Sequence, residues 1–201
     1  MKKAKGKVEL RYYDIQQEEF LIALQNRNWQ NKYQTEADSL HFHNLLEIGI
    51  CTQGHGTMRL EDNVVSYEAG MITVIPANFP HNTIPQGEAG NTWAYLFVDP
   101  EKILAAFYPD DILLQQRLLE NIHRQTFLGK ETEVPNLKNV ITCILNEMSH
   151  TPEFYRECVR GLSLSLLLMI ARLSSKKDIG QEMLRQKNGF DQIRPALECI
   201  R

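Results

Sequence analysis

Three histidines and one glutamate are the residues of this sequence best suited to chemistry. His41, His43 and Glu47 lie in the stretch HFHNLLE, and His81 ends the later stretch IPANFPH. Imidazole nitrogens and a carboxylate bind divalent transition metals, and they also hydrogen-bond polar small molecules. Side chains two residues apart on a strand point to the same face, so we expect His41, His43 and Glu47 to share one face if no bulge intervenes.

Short strands are predicted around these residues. Runs rich in β-branched and aromatic residues are broken by turn residues as far as Val98, a pattern typical of a small barrel or sandwich. The predicted strands cover residues 45–51, 56–60, 64–67, 71–75 and 92–98. Residues 61–63 are expected to form a hairpin loop, and residues 85–90 a longer connection.

The hydrophobic period becomes helical after residue 100. Apolar residues spaced i, i+3, i+4, i+7 predict an amphipathic helix over residues 136–150, and a similar pattern covers residues 111–123. Thr151 and Pro152 are predicted to serve as the N-cap and first residue of a helix over 152–173. The later turns of that helix are apolar nearly all round, so we expect it to contact a second copy of the chain.

Composition excludes several classes of protein. The 201 residues carry 22 Lys and Arg against 25 Asp and Glu, a net charge of −3. A chain of this charge is not expected to bind nucleic acid tightly by itself. The four cysteines are widely spaced, which disfavours a zinc knuckle or a disulfide framework and favours a reducing cytoplasm. The longest apolar stretch, residues 162–173, contains Arg172 and is too short to cross a membrane.

The histidines and the glutamate lie in a motif that resembles the cupin signature. The first cupin motif, HxH(x)3E(x)6G, matches at every fixed position from His41 to Gly54. The second, G(x)5PxGxxH(x)3N, is kept at Gly70, Pro76 and His81. The sequence departs from it at Asn78 and Pro85, which stand for the inner Gly and the final Asn. The resemblance implies a cupin-like barrel (double-stranded β-helix or jelly-roll), and in metal cupins the matching four residues bind Mn, Fe, Ni or Zn.

A longer resemblance covers roughly residues 8–173. The stretches HFHNLLEIGIC, QGHGTMRL, YEAGMITVIPANFPH and WAYLFVDPE, followed by helices, resemble the N-terminal effector-binding and dimerisation domain of AraC-type transcription regulators. The end of the sequence, IRPALECIR, resembles the opening of that family's DNA-binding domain. The resemblance implies a mainly β barrel with an N-terminal arm over 1–100, a helical dimerisation subdomain over 101–174, and a linker with the start of a truncated DNA-binding domain over 175–201.

The function implied by this second resemblance is sensing without catalysis. A small-molecule effector, with a sugar as one candidate, would bind in the barrel, and a homodimer would form through helices 136–150 and 152–173. DNA would be bound only through a missing C-terminal domain, and no membrane would be involved. The expected effector-binding residues are His41, His43, Glu47, His81, Trp93 and Tyr95.

Two uses of the cluster formed by His41, His43, Glu47 and His81 stay open. The four side chains either contact the effector and one another with no cofactor, or hold a divalent transition metal. The alternative function is a metal-dependent cupin enzyme, an isomerase or a dioxygenase, that uses the same four residues.

Other residues have a structural explanation beside a functional one. Trp93 and Tyr95 alternate on a predicted strand, where their rings either stack on an effector or simply fill the barrel. Arg59 would pair with an anionic effector or with Glu47, but an exposed strand arginine is the commoner case. Cys51 is expected to point to the same face of its strand as Glu47, but the sequence identifies no general base beside it, so we do not expect it to act as a nucleophile.

Overall fold

The computed structural model describes residues 8–25, 40–87, 90–124 and 126–173. Within these ranges the chain forms ten strands and four helices. The strands are β1 (Val8–Arg11), β2 (Leu21–Leu24), β3 (Leu40–His43), β4 (Leu46–Gln53), β5 (His55–Leu60), β6 (Asn63–Glu68), β7 (Met71–Ile75), β8 (His81–Gln86), β9 (Thr92–Val98) and β10 (Phe127–Lys130). The helices are α1 (Pro100–Phe107), α2 (Ile112–His123), α3 (Pro135–His150) and α4 (Tyr155–Leu173).

The strands form two five-stranded sheets. The first sheet has the order β1-β3-β8-β5-β6, and the second has the order β10-β7-β4-β9-β2. The chain crosses between them repeatedly, since β3, β8 and β5 lie in the first sheet while β4, β7 and β9 lie in the second. Such crossing is the connectivity of a jelly-roll barrel. The prediction of a mainly β, cupin-like fold with C-terminal helices is confirmed.

The second sheet is buried on both faces, which explains the continuous apolar character of its central strand β4. Leu46, Ile48 and Ile50 join a cluster that contains buried residues from all four helices. Cys51, on the other face of β4, packs among residues from both sheets in a second cluster inside the barrel. Because strand side chains alternate, Glu47 and Gly49 also face the barrel interior.

The first two helices begin where the sequence supplies side-chain caps. The Asp99 carboxylate accepts a hydrogen bond from the backbone N–H of Lys102 at the start of α1, and Asp111 accepts one from Leu114 at the start of α2. Helix α3 buries the apolar stripe that its sequence predicts, namely Leu137, Ile141, Ile144 and Leu145. The helices thus cover the outer face of the second sheet, and no helix of the described ranges is long and apolar enough to cross a membrane.

The predicted start of the last helix is wrong. Helix α4 begins at Tyr155, because Thr151 adopts the left-handed conformation (φ 45°) and caps the C-terminus of α3 through its N–H to the Glu147 carbonyl. Phe154 also has positive φ (64°). Residues 151–154 are therefore a turn, and Pro152 is not the first residue of a helix.

Several elements have no counterpart among the predicted ones. These are β1, β2, β8, β10 and α1. Strand β10 pairs with β7 in the second sheet, so residues 127–130 belong to the barrel although they lie among the helices. Strand β8 continues to Gln86, into the predicted connection. The division at residues 100 and 174 stays a prediction, and the predicted linker and truncated domain (175–201) lie outside the described residues.

Candidate functional site

The four residues of the His/Glu cluster come from three strands in two sheets. His41 and His43 lie on β3 of the first sheet, and Glu47 lies on β4 of the second. The expectation that they share one face of a single strand is therefore wrong, because the chain crosses between the sheets at residues 44–45. Their side chains still converge, since the inner faces of the two sheets oppose each other. His81 begins β8 and pairs directly with His41.

A tight turn positions His81. Asn78 has a positive φ (61°), and its backbone N–H donates to the carbonyl of His43 at 2.7 Å. Asparagine tolerates this left-handed conformation better than other residues with a side chain. Asn78 thereby replaces the inner glycine of the cupin motif and still ties the turn to β3.

The cluster is compact and buried. The Nε2 atom of His43 lies 2.8 Å from Oε2 of Glu47, and Nε2 of His81 lies 3.5 Å from the same oxygen. One ring nitrogen from each of His41, His43 and His81 lies within 4.8 Å of the others. All four residues are at most 8% exposed. Three imidazoles and one carboxylate therefore surround a single point that is shielded from water.

Backbone carbonyls fix which ring nitrogen carries hydrogen in two of the imidazoles. Nδ1 of His43 lies 3.3 Å from the carbonyl of Leu45, and Nδ1 of His81 lies 2.9 Å from that of Phe79. Because a carbonyl only accepts, each Nδ1 donates, and in the neutral ring Nε2 then carries a lone pair. Both Nε2 atoms are thus directed into the cluster, toward Oε2 of Glu47.

Three of these buried nitrogens lack hydrogen-bond partners. Among the described residues, Nε2 of His43, Nε2 of His81 and Nδ1 of His41 make no hydrogen bond of acceptable geometry. Buried polar atoms are almost always paired, so this cluster is arranged for a group other than its own side chains.

The charge state of the cluster follows from its burial. Desolvation, followed by the charges of His81 and Arg11, lowers the pKa of His41 from 6.5 to about 2. Burial alone would raise the pKa of Glu47, but the imidazoles of His81 and His43 outweigh it and hold that pKa well below its usual range. At neutral pH the site therefore contains an uncharged His41 and an ionised Glu47.

An aromatic column forms one wall of the interior. Trp93 and Tyr95 stack with ring centroids 5.7 Å apart, and Phe97 follows 6.1 Å beyond Tyr95. Phe97 meets the ring of His43 edge-on at 5.1 Å. Tyr13 stacks on Phe97 at 4.2 Å. Trp93 and Tyr95 therefore face the interior, and Phe97 and Tyr13 adjoin the His/Glu cluster.

Gly49 leaves room for this column. It pairs with Thr73 on one side and Tyr95 on the other. A Cβ atom at Gly49 would lie 2.6 Å from Oγ1 of Thr73, 3.0 Å from the Tyr95 ring and 3.1 Å from the Trp93 ring. Oγ1 of Thr73 and Nε1 of Trp93 are also buried without a hydrogen-bond partner in the described part of the chain.

The remaining sequence candidates lie outside the cluster or are unreactive. Burial raises the pKa of the Cys51 thiol to about 11, so the thiol stays protonated at neutral pH. Arg59 lies between the buried residues Met58 and Leu60, and strand alternation therefore directs it away from the interior. Its Nε donates to the carbonyl of Glu61.

Sequence reasoning missed three residues beside the cluster: Arg11, Tyr13 and Phe97. Phe97 lies two residues after Tyr95 and four after Trp93, so the alternation of the strand could have placed it on the same face. Tyr13 is held by the side chain of Asn44, which accepts from its N–H and donates to its carbonyl, both at 2.8 Å. That contact joins residues 31 positions apart, and no local sequence pattern predicts it.

A known protein family matches most of the sequence. A family model described as the AraC-like ligand binding domain matches residues 30–167. Among solved structures, the AraC-like transcriptional activator CuxR is 14% identical with a TM-score of 0.45, over 78% of this chain and 52% of that chain. The present chain thus spans about half the length of that protein.

Oxalate decarboxylase from Bacillus subtilis is 19% identical with a TM-score of 0.27, over 35% of this chain and 24% of that chain. The search of curated proteins gave no match. The family model covers more than half of the sequence and includes the whole His/Glu cluster. This chain therefore belongs to the family of AraC-like ligand binding domains, which are regulatory domains and not enzymes.

Proposed function

We propose that this domain senses a polar small-molecule effector, with a sugar as the leading class, inside the cupin-like barrel of a cytoplasmic transcription regulator. The observation that carries the proposal is the convergence of three buried, unpartnered imidazole nitrogens beside the ionised Glu47. Each unpaired buried polar atom costs about 1 to 3 kcal/mol. A bound molecule that supplies hydrogen-bond partners recovers part of that free energy.

The surroundings of the cluster suit a sugar. Sugar hydroxyls both donate and accept, so they match Nε2 of His43 and His81, with or without a hydrogen, as well as the Glu47 carboxylate. The aromatic column offers a flat apolar wall for the C–H face of a sugar ring. A few convergent polar groups among aromatic side chains are the usual composition of a small-molecule site.

A continuous set of contacts joins the site to the helices. Residues 12–20, here called the N-terminal segment, begin next to the cluster, where Tyr13 stacks on Phe97. Their far end is held by α1, because Nζ of Lys102 donates to the carbonyls of Gln16 and Glu19 at 2.9 and 2.6 Å. An effector that displaces Tyr13 would therefore alter contacts with α1. Such coupling requires the effector to prefer one of two arrangements.

The output of the sensor is proposed to be a change in a homodimer. Helices α3 and α4 pack on each other and, in the isolated chain, leave Leu162, Leu168 and Met169 only partly buried. Arg156, Arg160 and Arg172 are exposed on α4, so its uncovered surface is more polar than the sequence suggests. We propose that two copies pair through these helices and that a separate domain of the full-length regulator contacts DNA.

A second candidate role for the cluster is favoured by the fixed tautomers. Nδ1 of His43 and of His81 donates to a carbonyl, which directs Nε2 of each ring toward Glu47. Metal-binding histidines are commonly oriented by such a hydrogen bond from the other ring nitrogen. The donor set fits Mn, Fe, Ni or Zn, which His41, His43, Glu47 and His81 would hold. A bound metal would polarise an oxygen atom of the effector.

A ligand screen tests the proposed function. Neutral sugars and other polar metabolites are added to the chain, and thermal unfolding is followed for the wild type, His43→Ala and His81→Ala. We expect at least one compound to raise the melting temperature of the wild type but not of either variant. His55→Ala is the matched control, because His55 is exposed on β5 of the same barrel. Stabilisation that persists in both cluster variants would contradict the proposal.

Metal analysis separates the two roles of the cluster. The protein is purified without a metal-affinity tag and its content of Mn, Fe, Ni and Zn is measured. Direct effector contact predicts far less than one equivalent and an effector affinity that is insensitive to a chelator. Near one equivalent, lost in His81→Ala, would show instead that the effector meets a metal site.

A further inference from the structure

We propose that the effector carries a carboxylate and that Arg11, together with His41, binds it, so that the effector is a sugar acid and not a neutral sugar. This inference rests on the proposed function, since it concerns the molecule bound at the His/Glu cluster. It assigns a binding role to the edge strand β1, which sequence reasoning did not include in the site.

Strand pairing places Arg11 on the inner face of the first sheet. Strand β1 runs parallel to β3, with Glu9 opposite His41 and Arg11 opposite His43. Side chains at paired positions point to the same face of a sheet. The intervening Leu10 is 51% exposed on the outer face, as strand alternation requires. Arg11 therefore adjoins the cluster from the open edge of the sheet.

The guanidinium of Arg11 is a buried positive charge with a shape suited to a carboxylate. Only 11% of the Arg11 side chain is exposed, compared with 49% of Glu9, and Nη2 of Arg11 lies 3.7 Å from Oε2 of Glu9. That distance exceeds a hydrogen bond, so Glu9, which lies on the same face as Arg11, forms only a long ion pair with it at the solvated edge of the sheet. The planar guanidinium presents paired N–H donors that match the two oxygens of a carboxylate.

His41 completes the anion subsite. Its Nδ1 is buried without a partner among the described residues, whereas Nδ1 of His43 and of His81 donates to a carbonyl. His41 is also the imidazole on which the charge of Arg11 acts. With a hydrogen on Nδ1, His41 would donate to the same carboxylate as Arg11.

The carboxylate of Glu47 lies beside the other two imidazoles of the cluster, those of His43 and His81. Glu47 contacts Nε2 of His43 at 2.8 Å and Nε2 of His81 at 3.5 Å. The effector's hydroxyls would meet this side, where both donors and acceptors are needed. Its carboxylate would meet Arg11 and His41, so the two negative charges lie at opposite sides of the bound molecule.

Calorimetric titration of the full chain with D-glucuronate and D-glucose tests the inference. The two probes share a pyranose ring and differ in the carboxylate. We expect the wild type to bind glucuronate at least about 10-fold more tightly, because hydrogen bonds to a charged group outweigh neutral ones. Arg11→Gln should weaken glucuronate binding by about 10- to 100-fold and leave glucose binding within about 2-fold.

Two further variants keep the test decisive. Arg59→Gln, on the same sheet but directed away from the interior, should change neither affinity. Arg11→Lys keeps the charge without the planar fork, and it should bind glucuronate at an affinity between those of the wild type and Arg11→Gln. It also replaces Arg11→Gln if that variant does not fold.

Each result bears on the inference in one direction. Glucose binding as tight as glucuronate would overturn the sugar-acid assignment and leave the proposed function standing. A glucuronate preference that survives in Arg11→Gln would overturn the role of Arg11. If glucuronate at a concentration on the order of 10 mM does not bind the wild type, its dissociation constant is too high for an effector, and the inference would also be overturned. The proposed function itself fails only if no polar compound of the wider screen depends on His43 and His81.

Discussion

The burial of His41 predicts that acid destabilises this domain through one identifiable side chain. The folded-state pKa of His41 is lowered to about 2, chiefly by desolvation, from its ordinary value of 6.5. Between these two values the unfolded chain binds more protons than the folded chain. The free energy of unfolding therefore falls as the pH is lowered from 7.

The size of the effect follows from the unfolded pKa. A pH of 5 lies about 1.5 units below the pKa of the imidazole in the unfolded chain, and each unit corresponds to about 1.4 kcal/mol. His41 therefore lowers the free energy of unfolding by about 2 kcal/mol at pH 5. Glu47 contributes with the same sign, because its folded pKa is also lowered. Its contribution is lost only below its ordinary pKa of 4.5, outside the interval from pH 7 to 5.

Urea unfolding at pH 7, 6 and 5 measures the contribution of His41 to the free energy of unfolding when the wild type and His41→Gln are compared in the presence of a chelator. The wild type should lose about 2 kcal/mol more than His41→Gln between pH 7 and 5. His55→Gln, which alters an exposed histidine, should lose as much as the wild type. An equal loss in wild type and His41→Gln would refute the reasoning, because His41 would then be protonated as easily in the folded state as in the unfolded chain.

Three further predictions concern packing, assembly and DNA. In urea unfolding, Gly49→Ala should lower the free energy of unfolding by about 1 to 3 kcal/mol, because the new Cβ would lie 2.6 Å from Thr73 Oγ1. The control Gly161→Ala, whose new Cβ would have nothing within 4 Å, should stabilise α4 by up to about 1 kcal/mol. Equal effects of the two substitutions would contradict the packing of the aromatic column. Leu168→Glu on α4 should shift sedimentation from dimer to monomer at micromolar concentration, while Leu113→Glu, at a side chain that is 79% exposed on α2, should not. A gel-shift assay at physiological salt should detect no sequence-specific binding of duplex DNA, because the net charge is −3, and sub-micromolar specific binding would overturn the separation of sensing from DNA contact.

The His/Glu cluster was predictable because its residues form a motif with fixed spacing. The same spacing gave the wrong geometry, since β3 and β4 lie in different sheets and not on one continuous strand. Periodicity succeeded for α3, whose buried stripe runs from Leu137 to Leu145. It failed for the start of α4, where the left-handed Thr151 ends the preceding helix and prevents the expected cap.

The contacts that complete the site were beyond local sequence signals. Arg11 reaches the cluster through parallel pairing of β1 with β3, and Tyr13 through the side chain of Asn44. Both contacts join positions about 30 residues apart, and neither residue type is distinctive in its segment. Strand β10 was missed for a similar reason, since four residues between two helices show no clear period until they pair with β7.

The central claim is that the His/Glu cluster binds the effector, and the imidazole nitrogen resonances test it most directly. The sequence contains six histidines, which single His→Ala variants assign in a long-range ¹H–¹⁵N spectrum. When a stabilising compound from the screen is added, the Nε2 signals of His43 and His81 should move together and saturate, while those of the exposed His55 stay in place. Saturating binding that leaves the signals of His43 and His81 unchanged would contradict the claim.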